Sequence, residues 1–246
     1  MKHTTLVLVP GLMCDHAVWS GVMAQLGSKA ASAVVPDHGL CDDIEGMAQQ
    51  ILASVPGDLA VAGHSMGGRV AIEMRRLAPN RVRHLALLDT GYQACPAGAQ
   101  GQAEAAKRQA LLDVAVSQGV EAMARTWAQG MVHPSRLTDG ALIDVIVAMF
   151  ARRTPVHFAN QIRALLTRPD ASPTLQGIAG TVHLICGAQD SWSPVAQHRA
   201  MANLLPLSVL SVIESAGHMA PMEQPEAVAL ALAKWLASPP LATESL

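Results

Sequence analysis

A serine between two glycines is the first feature of the sequence that could do covalent chemistry. Residues 63–67 read Gly-His-Ser-Met-Gly, the Gly-x-Ser-x-Gly spacing, with Ser65 at the centre. In this motif a sharp turn between a strand and a helix presents the serine hydroxyl, and small neighbours let the chain turn without clashes. An apolar run at residues 58–62 precedes the motif and a helical pattern at residues 69–77 follows it. We therefore predict Ser65 as a catalytic nucleophile. A phosphate-binding turn is the alternative, but neither Gly-Lys-Ser/Thr nor Gly-x-Gly-x-x-Gly occurs there.

Two loop residues late in the chain could activate this serine. A serine hydroxyl needs a general base, and the base needs an acid that orients it. His218 follows the last apolar run of the chain, and we predict it as the base. Asp190 follows the preceding apolar run, and we predict it as the acid, in the chain order Ser, acid, His. Asp89, at the end of an earlier apolar run, is the rival acid, and a helix cap is the alternative role for Asp190.

Backbone N–H groups must stabilise the oxyanion that forms when a serine attacks a carbonyl. We predict one donor at Met66, the residue after the nucleophile. The second should come from the loop after the first strand, which reads Pro-Gly-Leu-Met at residues 10–13. Leu12 is the first choice in that loop and Met13 is the alternative.

Short apolar runs alternate with helical patterns through much of the chain. This alternation predicts the α/β class, with a mostly parallel central sheet covered by helices on both faces. The predicted strands are residues 4–9, 31–35, 58–62, 82–88, 181–186 and 207–213. The predicted helices between them are residues 16–26, 44–54, 69–77, 194–204 and 225–237. Each candidate site residue except Met66 therefore follows a strand, at the carboxyl edge of the sheet.

Residues 92–180 interrupt the alternation. They contain no convincing strand and carry helical patterns at residues 103–117, 120–130 and 139–152. We predict a helical lid or cap here, inserted before the last two strands. Residues 1–91 and 181–246 would then form the core of one structural domain. A lid in this position would shape the substrate pocket and exclude water.

Composition and charge exclude several classes of function. Across 246 residues, 17 Lys and Arg face 19 Asp and Glu, and no concentrated basic face is apparent, so we expect no nucleic-acid partner. No run of about 18 apolar residues occurs, so we expect no membrane-spanning helix. The four cysteines are scattered without a Cys-x-x-Cys pair, which argues against a zinc site and favours a reducing compartment, the cytoplasm.

Together these segments resemble the α/β-hydrolase superfamily, over most of the chain outside residues 92–180. The segments that carry the resemblance to its oxyanion loop, nucleophile elbow, acid loop and histidine loop are residues 9–19, 63–68, 187–194 and 217–228. The chain is similar to small bacterial carboxylesterases and acyl-carrier methyl-ester esterases, and to lactone and C–C bond hydrolases. The resemblance implies that superfamily's fold. Neither a metal nor an organic cofactor is needed for the triad chemistry.

The leading interpretation is a serine hydrolase that cleaves a carboxylic ester through an acyl-enzyme. Its substrate would be a small-molecule ester, with a carrier-bound acyl group as a further option. Thioester, lactone or C–C bond cleavage, acyl transfer and a lyase reaction by the same triad are the alternatives, as is a non-catalytic ligand-binding protein on this scaffold. The oligomeric state is open.

We expect a mainly apolar substrate pocket around the nucleophile. The predicted pocket residues are Met13, His64, Trp192 and Met219. Trp19, Met149 and Phe150 are further candidates, of which we interpret Trp19 and Phe150 as core residues. The basic pair Arg152-Arg153 is interpreted as a solvated helix face, with contact to a substrate carboxylate or an acyl carrier as the alternative.

Overall fold

One sheet of five parallel strands organises residues 4–243, the part of the chain that the structure describes. Residues 1–3 and 244–246, at the outer ends of the predicted core, lie outside the described residues of this computed structural model. Strand order in the sheet follows chain order. The strands are Thr4–Val9 (β1), Asp58–His64 (β2), Val82–Leu88 (β3), Thr181–Gly187 (β4) and Leu207–Ile213 (β5).

Helices surround the sheet. Within the described residues they are Ala17–Leu26 (α1), Ile44–Ser54 (α2), Met66–Leu77 (α3), Gly98–Gln118 (α4), Val120–Ala128 (α5), Gly140–Ala151 (α6), Pro155–Leu166 (α7), Ser172–Gln176 (α8), Val195–Ala202 (α9), Ala220–Glu223 (α10) and Pro225–Leu236 (α11). Helix α3 packs on β1, β2 and β3, whereas α11 packs on β3, β4 and β5 and against α1. Among these helices, none has both the length and the apolar character needed to span a bilayer.

The inner strands are buried on both faces, which explains their continuous apolar sequences. In β2 every residue from Leu59 to His64 is buried, and in β4 so is every residue from Val182 to Gly187. Parallel strands with helices on both sides require such runs because neither face meets water. The predicted α/β class, a mostly parallel sheet covered by helices, is confirmed.

Residues 92–180 form helices α4 to α8 between β3 and β4, with no strand among them. We call this stretch the helical segment. Helix α4 packs against α5 and α7, and α5 packs against α6. Two of these helices, Pro155–Leu166 and Ser172–Gln176, have no counterpart among the predicted ones.

The predicted strand at residues 31–35 is wrong. Only Val34 bridges to the sheet, where its N–H donates to Leu6 O at 2.8 Å and its O accepts from Leu8 N–H at 2.9 Å. Ala31 still belongs to the turn after a short 3-10 helix, and Pro36 has no N–H to donate. Of residues 31–35, only Val34 is therefore free to pair with β1.

Candidate active site

Ser65 occupies a strained turn between β2 and α3. Its φ of 54° lies in the left-handed region, which non-glycine residues rarely adopt. Two hydrogen bonds hold it there: Ser65 N–H donates to Leu88 O at 2.9 Å, and Ser65 O accepts from the Thr90 hydroxyl at 2.6 Å. The surroundings thus fix the backbone of a residue that would otherwise relax.

The glycines of the motif allow three backbone segments to meet at this turn. A Cβ on Gly63 would collide with Gly67 O, and a Cβ on Gly67 would collide with Val9 O at the end of β1. In the loop after β1, a Cβ on Gly11 would lie 3.2 Å from Ser65 Cβ. The loop after β1 therefore lies directly against the serine.

His218 links Ser65 to Asp190 through two hydrogen bonds. Its Nε2 lies 2.8 Å from Ser65 Oγ, and its Nδ1 lies 2.8 Å from Asp190 Oδ2. An ionised carboxylate can only accept, so Nδ1 carries the imidazole proton and Nε2 accepts from the serine hydroxyl. This tautomer can take a proton from Ser65.

Asp190 is held in its ionised form. Burial opposes ionisation, but the charge and hydrogen bond of His218 and the N–H groups of Ser193 and Trp192 outweigh it and lower the pKa of Asp190. Those N–H groups donate to Asp190 Oδ1 at 3.0 and 2.8 Å. The carboxylate thus has one oxygen fixed by the backbone and the other directed at the imidazole.

Asp89, the rival acid, lies behind this pair and is bonded elsewhere. Its Oδ1 accepts from Gly187 N–H at 2.7 Å, and its side chain is fully buried. Burial and the neighbouring charge of Asp190 raise the pKa of Asp89 well above its ordinary value. The imidazole is therefore bonded to Asp190. Of the two aspartates, Asp89 is the neutral one.

The loop that carries His218 is anchored by the helical segment. His218 N–H donates to Met131 O at 2.7 Å. The Glu223 carboxylate accepts from Gly217 N–H at 2.8 Å and from His133 N–H at 2.6 Å. On the other side, His64 Nε2 donates to His218 O at 2.8 Å, and burial, with the charge of His218, lowers the pKa of His64 to about 3. His64 is thus a neutral support of the loop.

The loop after β1 offers backbone donors without an acceptor beside Ser65. Within residues 4–243 no acceptor bonds to the N–H of Gly11 or of Leu12, whereas the N–H of Met13 donates to Gln161 Oε1 at 2.7 Å. Met66 is the first residue of α3, so its N–H has no intrahelical partner. Pro10 O accepts from His38 Nε2 at 2.9 Å, which helps to fix the loop.

A cavity of about 690 Å³ opens above these groups. Of the predicted site residues, the ones that line it are Leu12, His64, Ser65, Met66, Trp192, His218 and Met219. Its apolar lining includes Leu111, Trp127, Met131, Phe150, Phe158 and Leu165 from the helical segment. The Trp192 ring lies 5.6 Å from that of Trp127, stacked, and 4.8 Å from the imidazole of His218.

Met13, which was predicted as a pocket residue, is not among the residues that line the cavity. Its backbone adopts a φ of 62°, and its side chain is fully buried in the core rather than in the cavity wall. Trp19 and Met149 are likewise buried outside the wall, whereas Phe150 lines it.

The basic pair Arg152-Arg153, which directly follows α6, also lies outside the cavity wall. Arg152 Nε pairs with Asp15 at 2.7 Å, and Arg153 Nη1 pairs with Asp37 at 2.7 Å. The arginines that do line the wall were missed by the sequence reasoning: Arg69, Arg108 and Arg168. Only Arg69 carried a signal, since it lies one helical turn after Ser65. Among residues 4–243, no group of three or more His, Cys, Asp or Glu side chains could hold a metal ion.

Comparisons with known proteins agree with this fold. Residues 6–232 match the family described as the alpha/beta hydrolase family. A pimeloyl-(acyl-carrier protein) methyl ester esterase of Aromatoleum aromaticum is 26% identical over 239 residues, 92% of this chain and 95% of that protein. A thermophilic esterase from Thermogutta terrifontis, solved with malate bound, superposes with a TM-score of 0.81 at 25% identity, over 96% of this chain and 90% of that one. The enol-lactonase from Burkholderia xenovorans shares the fold, with a TM-score of 0.78 at 19% identity over 97% of this chain and 93% of that one.

Proposed function

The chain belongs to the alpha/beta hydrolase family, and from this premise we propose that it is a serine esterase that cleaves a carboxylic ester through an acyl-enzyme. The observation that carries the proposal is the hydrogen-bonded series from Ser65 through His218 to Asp190 at the floor of the cavity. In this series Asp190 is ionised and accepts from Nδ1 of His218, and Nε2 of His218 faces the serine hydroxyl. The esterase-named relatives support the reaction class.

In the acylation step Ser65 Oγ attacks the ester carbonyl while His218 Nε2 takes its proton. Asp190 stabilises the imidazolium that forms and keeps its Nδ1–H in place. The negative charge on the carbonyl oxygen is stabilised by the N–H groups of Leu12 and Met66, which lie beside the serine. Collapse of the tetrahedral species expels the alcohol, which receives the proton from His218.

In the deacylation step His218 activates a water molecule that attacks the acyl-enzyme. The same two N–H groups stabilise the second oxyanion, and the acid product leaves with Ser65 restored. All of these steps use side chains, backbone groups and water, so the proposed reaction requires no cofactor.

The helical segment is proposed to act as the lid of this site. It supplies much of the cavity wall, including Trp127 and Phe158, and its Met131 carbonyl holds the His218 backbone. The aromatic lining suits an apolar acyl or alcohol chain and keeps bulk water from the acyl-enzyme. We place the reaction in the cytoplasm because all four cysteines, Cys14, Cys41, Cys95 and Cys186, are free thiols.

The test is hydrolysis of p-nitrophenyl acetate and butyrate together with labelling by a fluorophosphonate probe. We expect wild type to turn over both esters and to take up one label. Ser65→Ala should lose the label and lower kcat by about 10⁴-fold or more, because the nucleophile is gone. Ser20→Ala, on the exposed face of α1, is the matched control and should behave like wild type.

Each competing function predicts a different result in the same assay. Turnover of a thioester, lactone or diketone in preference to both esters would show that the enzyme cleaves a different bond, with Ser65 still as its nucleophile. Absence of both turnover and labelling in folded protein would sink the enzymatic proposal and favour a ligand-binding protein.

A further inference from the structure

The cavity above Ser65 has a strongly basic wall. Apart from histidine, the charged residues that line it within the described chain are Arg69, Glu104, Lys107, Arg108 and Arg168. Four cations thus face one carboxylate in a cleft whose remaining lining is largely apolar. A concave surface with one predominant sign of charge concentrates ligands of the opposite sign.

Glu104 is fully engaged by two of these cations. Its Oε1 accepts from Arg108 Nε and Nη2 at 3.0 and 2.8 Å and from Arg168 Nη1 at 2.7 Å, and its Oε2 accepts from Arg168 Nη2 at 2.8 Å. Burial opposes its ionisation, but the hydrogen bonds from Arg168 and Arg108 outweigh it and lower the pKa of Glu104 to about 2. The one carboxylate of the wall is therefore satisfied and leaves the other cations uncompensated.

Arg69 is the uncompensated cation nearest to the nucleophile along the chain. It lies four residues after Ser65 on α3, about 6 Å along the helix axis. Its Nη1 donates to Gln93 O at 2.8 Å, and its Nη2 packs on Gly91, where a Cβ would lie 2.8 Å away. Within residues 4–243 Arg69 has no salt bridge, since Glu104 pairs with Arg108 and Arg168. The loop after β3 thus holds the guanidinium in place without neutralising it.

The surroundings of Arg69 supply no negative charge that pairs with its guanidinium. Burial, and then the charge of Arg168, lower the pKa of Arg69 to about 9, which still leaves the guanidinium cationic at neutral pH. Lys107 likewise has no salt bridge within the described residues and lies at the exposed rim of the cavity. A bound oxyanion would offset the repulsion among these side chains.

We propose that Arg69, together with Lys107, forms an anion subsite, so that the preferred substrate is an ester with a carboxylate or phosphate at the end remote from the reacting carbonyl. This inference rests on the proposed function, because it names the substrate class of the same site. A planar guanidinium binds either oxyanion through two parallel hydrogen bonds. The aromatic lining at Trp127 and Phe158 would hold the apolar chain between the two ends.

The test compares monomethyl adipate, which carries a free carboxylate, with methyl hexanoate, a neutral ester of the same chain length. Wild type should favour the anionic ester in kcat/KM. Arg69→Met should lower that preference by about 10-fold or more, mainly through KM, since it removes a charge-assisted hydrogen bond. Arg69→Lys should recover part of the preference, because the charge returns without the planar fork.

The matched control is Arg163→Met. Arg163 lies on α7 outside the cavity wall and pairs with Asp42 at 2.6 Å, with 64% of its side chain exposed. The Arg163→Met variant should retain the wild-type preference for the anionic ester. An equal preference in wild type and Arg69→Met would overturn the subsite, while turnover of both esters would leave the proposed function standing.

A binding measurement separates failure of the subsite from failure of the esterase proposal. The esterase proposal fails if the p-nitrophenyl esters as well as both methyl esters are left intact, and adipate and inorganic phosphate then serve as probes of Ser65→Ala in thermal denaturation. The subsite predicts that adipate raises Tm in Ser65→Ala and not in the Ser65→Ala/Arg69→Met double variant. A stronger effect of phosphate than of adipate would assign the anionic group to a phosphate, and no shift with either probe would overturn the subsite.

Discussion

Asp89 and Asp190 lie against each other behind the His218 imidazole, two buried carboxyl groups of which only one bonds the ring. Asp190 Oδ2 lies 2.8 Å from His218 Nδ1, whereas Asp89 accepts from Gly187 N–H. Burial and the charge of Asp190 raise the pKa of Asp89, whose Oδ2 has no hydrogen-bond partner among the described residues. Two adjacent carboxylates cannot both be ionised without a large cost. A neutral Asp89 resolves the conflict and keeps the negative charge on Asp190, beside the imidazole.

This division of roles predicts a large loss of activity from an Asp-to-Asn substitution at position 190 and a small one from the same substitution at position 89. Asp190→Asn should lower kcat by roughly 10⁴-fold, because an amide favours the wrong imidazole tautomer. Asp89→Asn should stay within about 10-fold of wild type, because the amide is neutral like the protonated carboxyl group and its oxygen can still accept from Gly187 N–H. Steady-state kinetics on p-nitrophenyl butyrate measure both effects. A larger loss from Asp89→Asn than from Asp190→Asn would reverse the assignment of the acid.

The contact of Gly11 with the nucleophile predicts a defect in kcat. An added Cβ would lie 3.1 Å from His64 Nδ1 and 3.2 Å from Ser65 Cβ, so the loop that carries Leu12 must shift by a few tenths of an ångström. Gly11→Ala should therefore lower kcat by roughly 10- to 100-fold with little change in KM, as when an oxyanion donor is misplaced. Gly140→Ala is the control, since a Cβ there meets nothing within 4 Å. Equal kcat in wild type and Gly11→Ala would remove this loop from the proposed oxyanion site.

The juxtaposition of the three candidate triad residues could be predicted from the sequence because it depends on chain-local patterns. Ser65, Asp190 and His218 each follow an apolar run, and parallel strands bring such positions to one edge of the sheet. Met13 was misplaced because the direction of a loop side chain depends on a backbone angle that residue type does not specify. The pairing of Arg168 with Glu104 was missed because it joins the end of α7 to α4, two helices whose packing is not encoded in either local pattern.

The charge cluster on the cavity wall predicts how stability depends on pH. Glu104 has its pKa lowered from 4.5 to about 2, so its ionised form stabilises the fold fully above pH 4.5. That contribution is lost as the pH falls from 4.5 towards about 2, because the carboxylate that Arg168 and Arg108 stabilise becomes protonated. Urea unfolding of wild type and Glu104→Gln should give a difference in unfolding free energy that shrinks over this range. Glu226→Gln, exposed in the first turn of α11, is the control, and a pH-independent difference for Glu104→Gln would contradict the assignment.

The last prediction concerns Gln161, which connects the helical segment to the oxyanion loop. It is almost fully buried on α7, and its Oε1 accepts the N–H of Met13 at 2.7 Å. Gln161→Met keeps the length of the side chain but leaves that buried N–H without an acceptor, which costs about 1–3 kcal/mol of unfolding free energy. Because Met13 follows Leu12, the loosened loop should also lower kcat, by about 10-fold.

Gln109→Met is the matched control, since Gln109 bonds Asp113 on the exposed face of α4. Denaturant unfolding and ester kinetics on the two variants separate the possibilities. A loss of stability with unchanged kcat in Gln161→Met would make the Gln161 hydrogen bond a purely structural contact. Loss of both would mean that the helical segment positions the oxyanion donor as well as covering the substrate, because one buried amide oxygen of α7 then controls the geometry of the loop after β1.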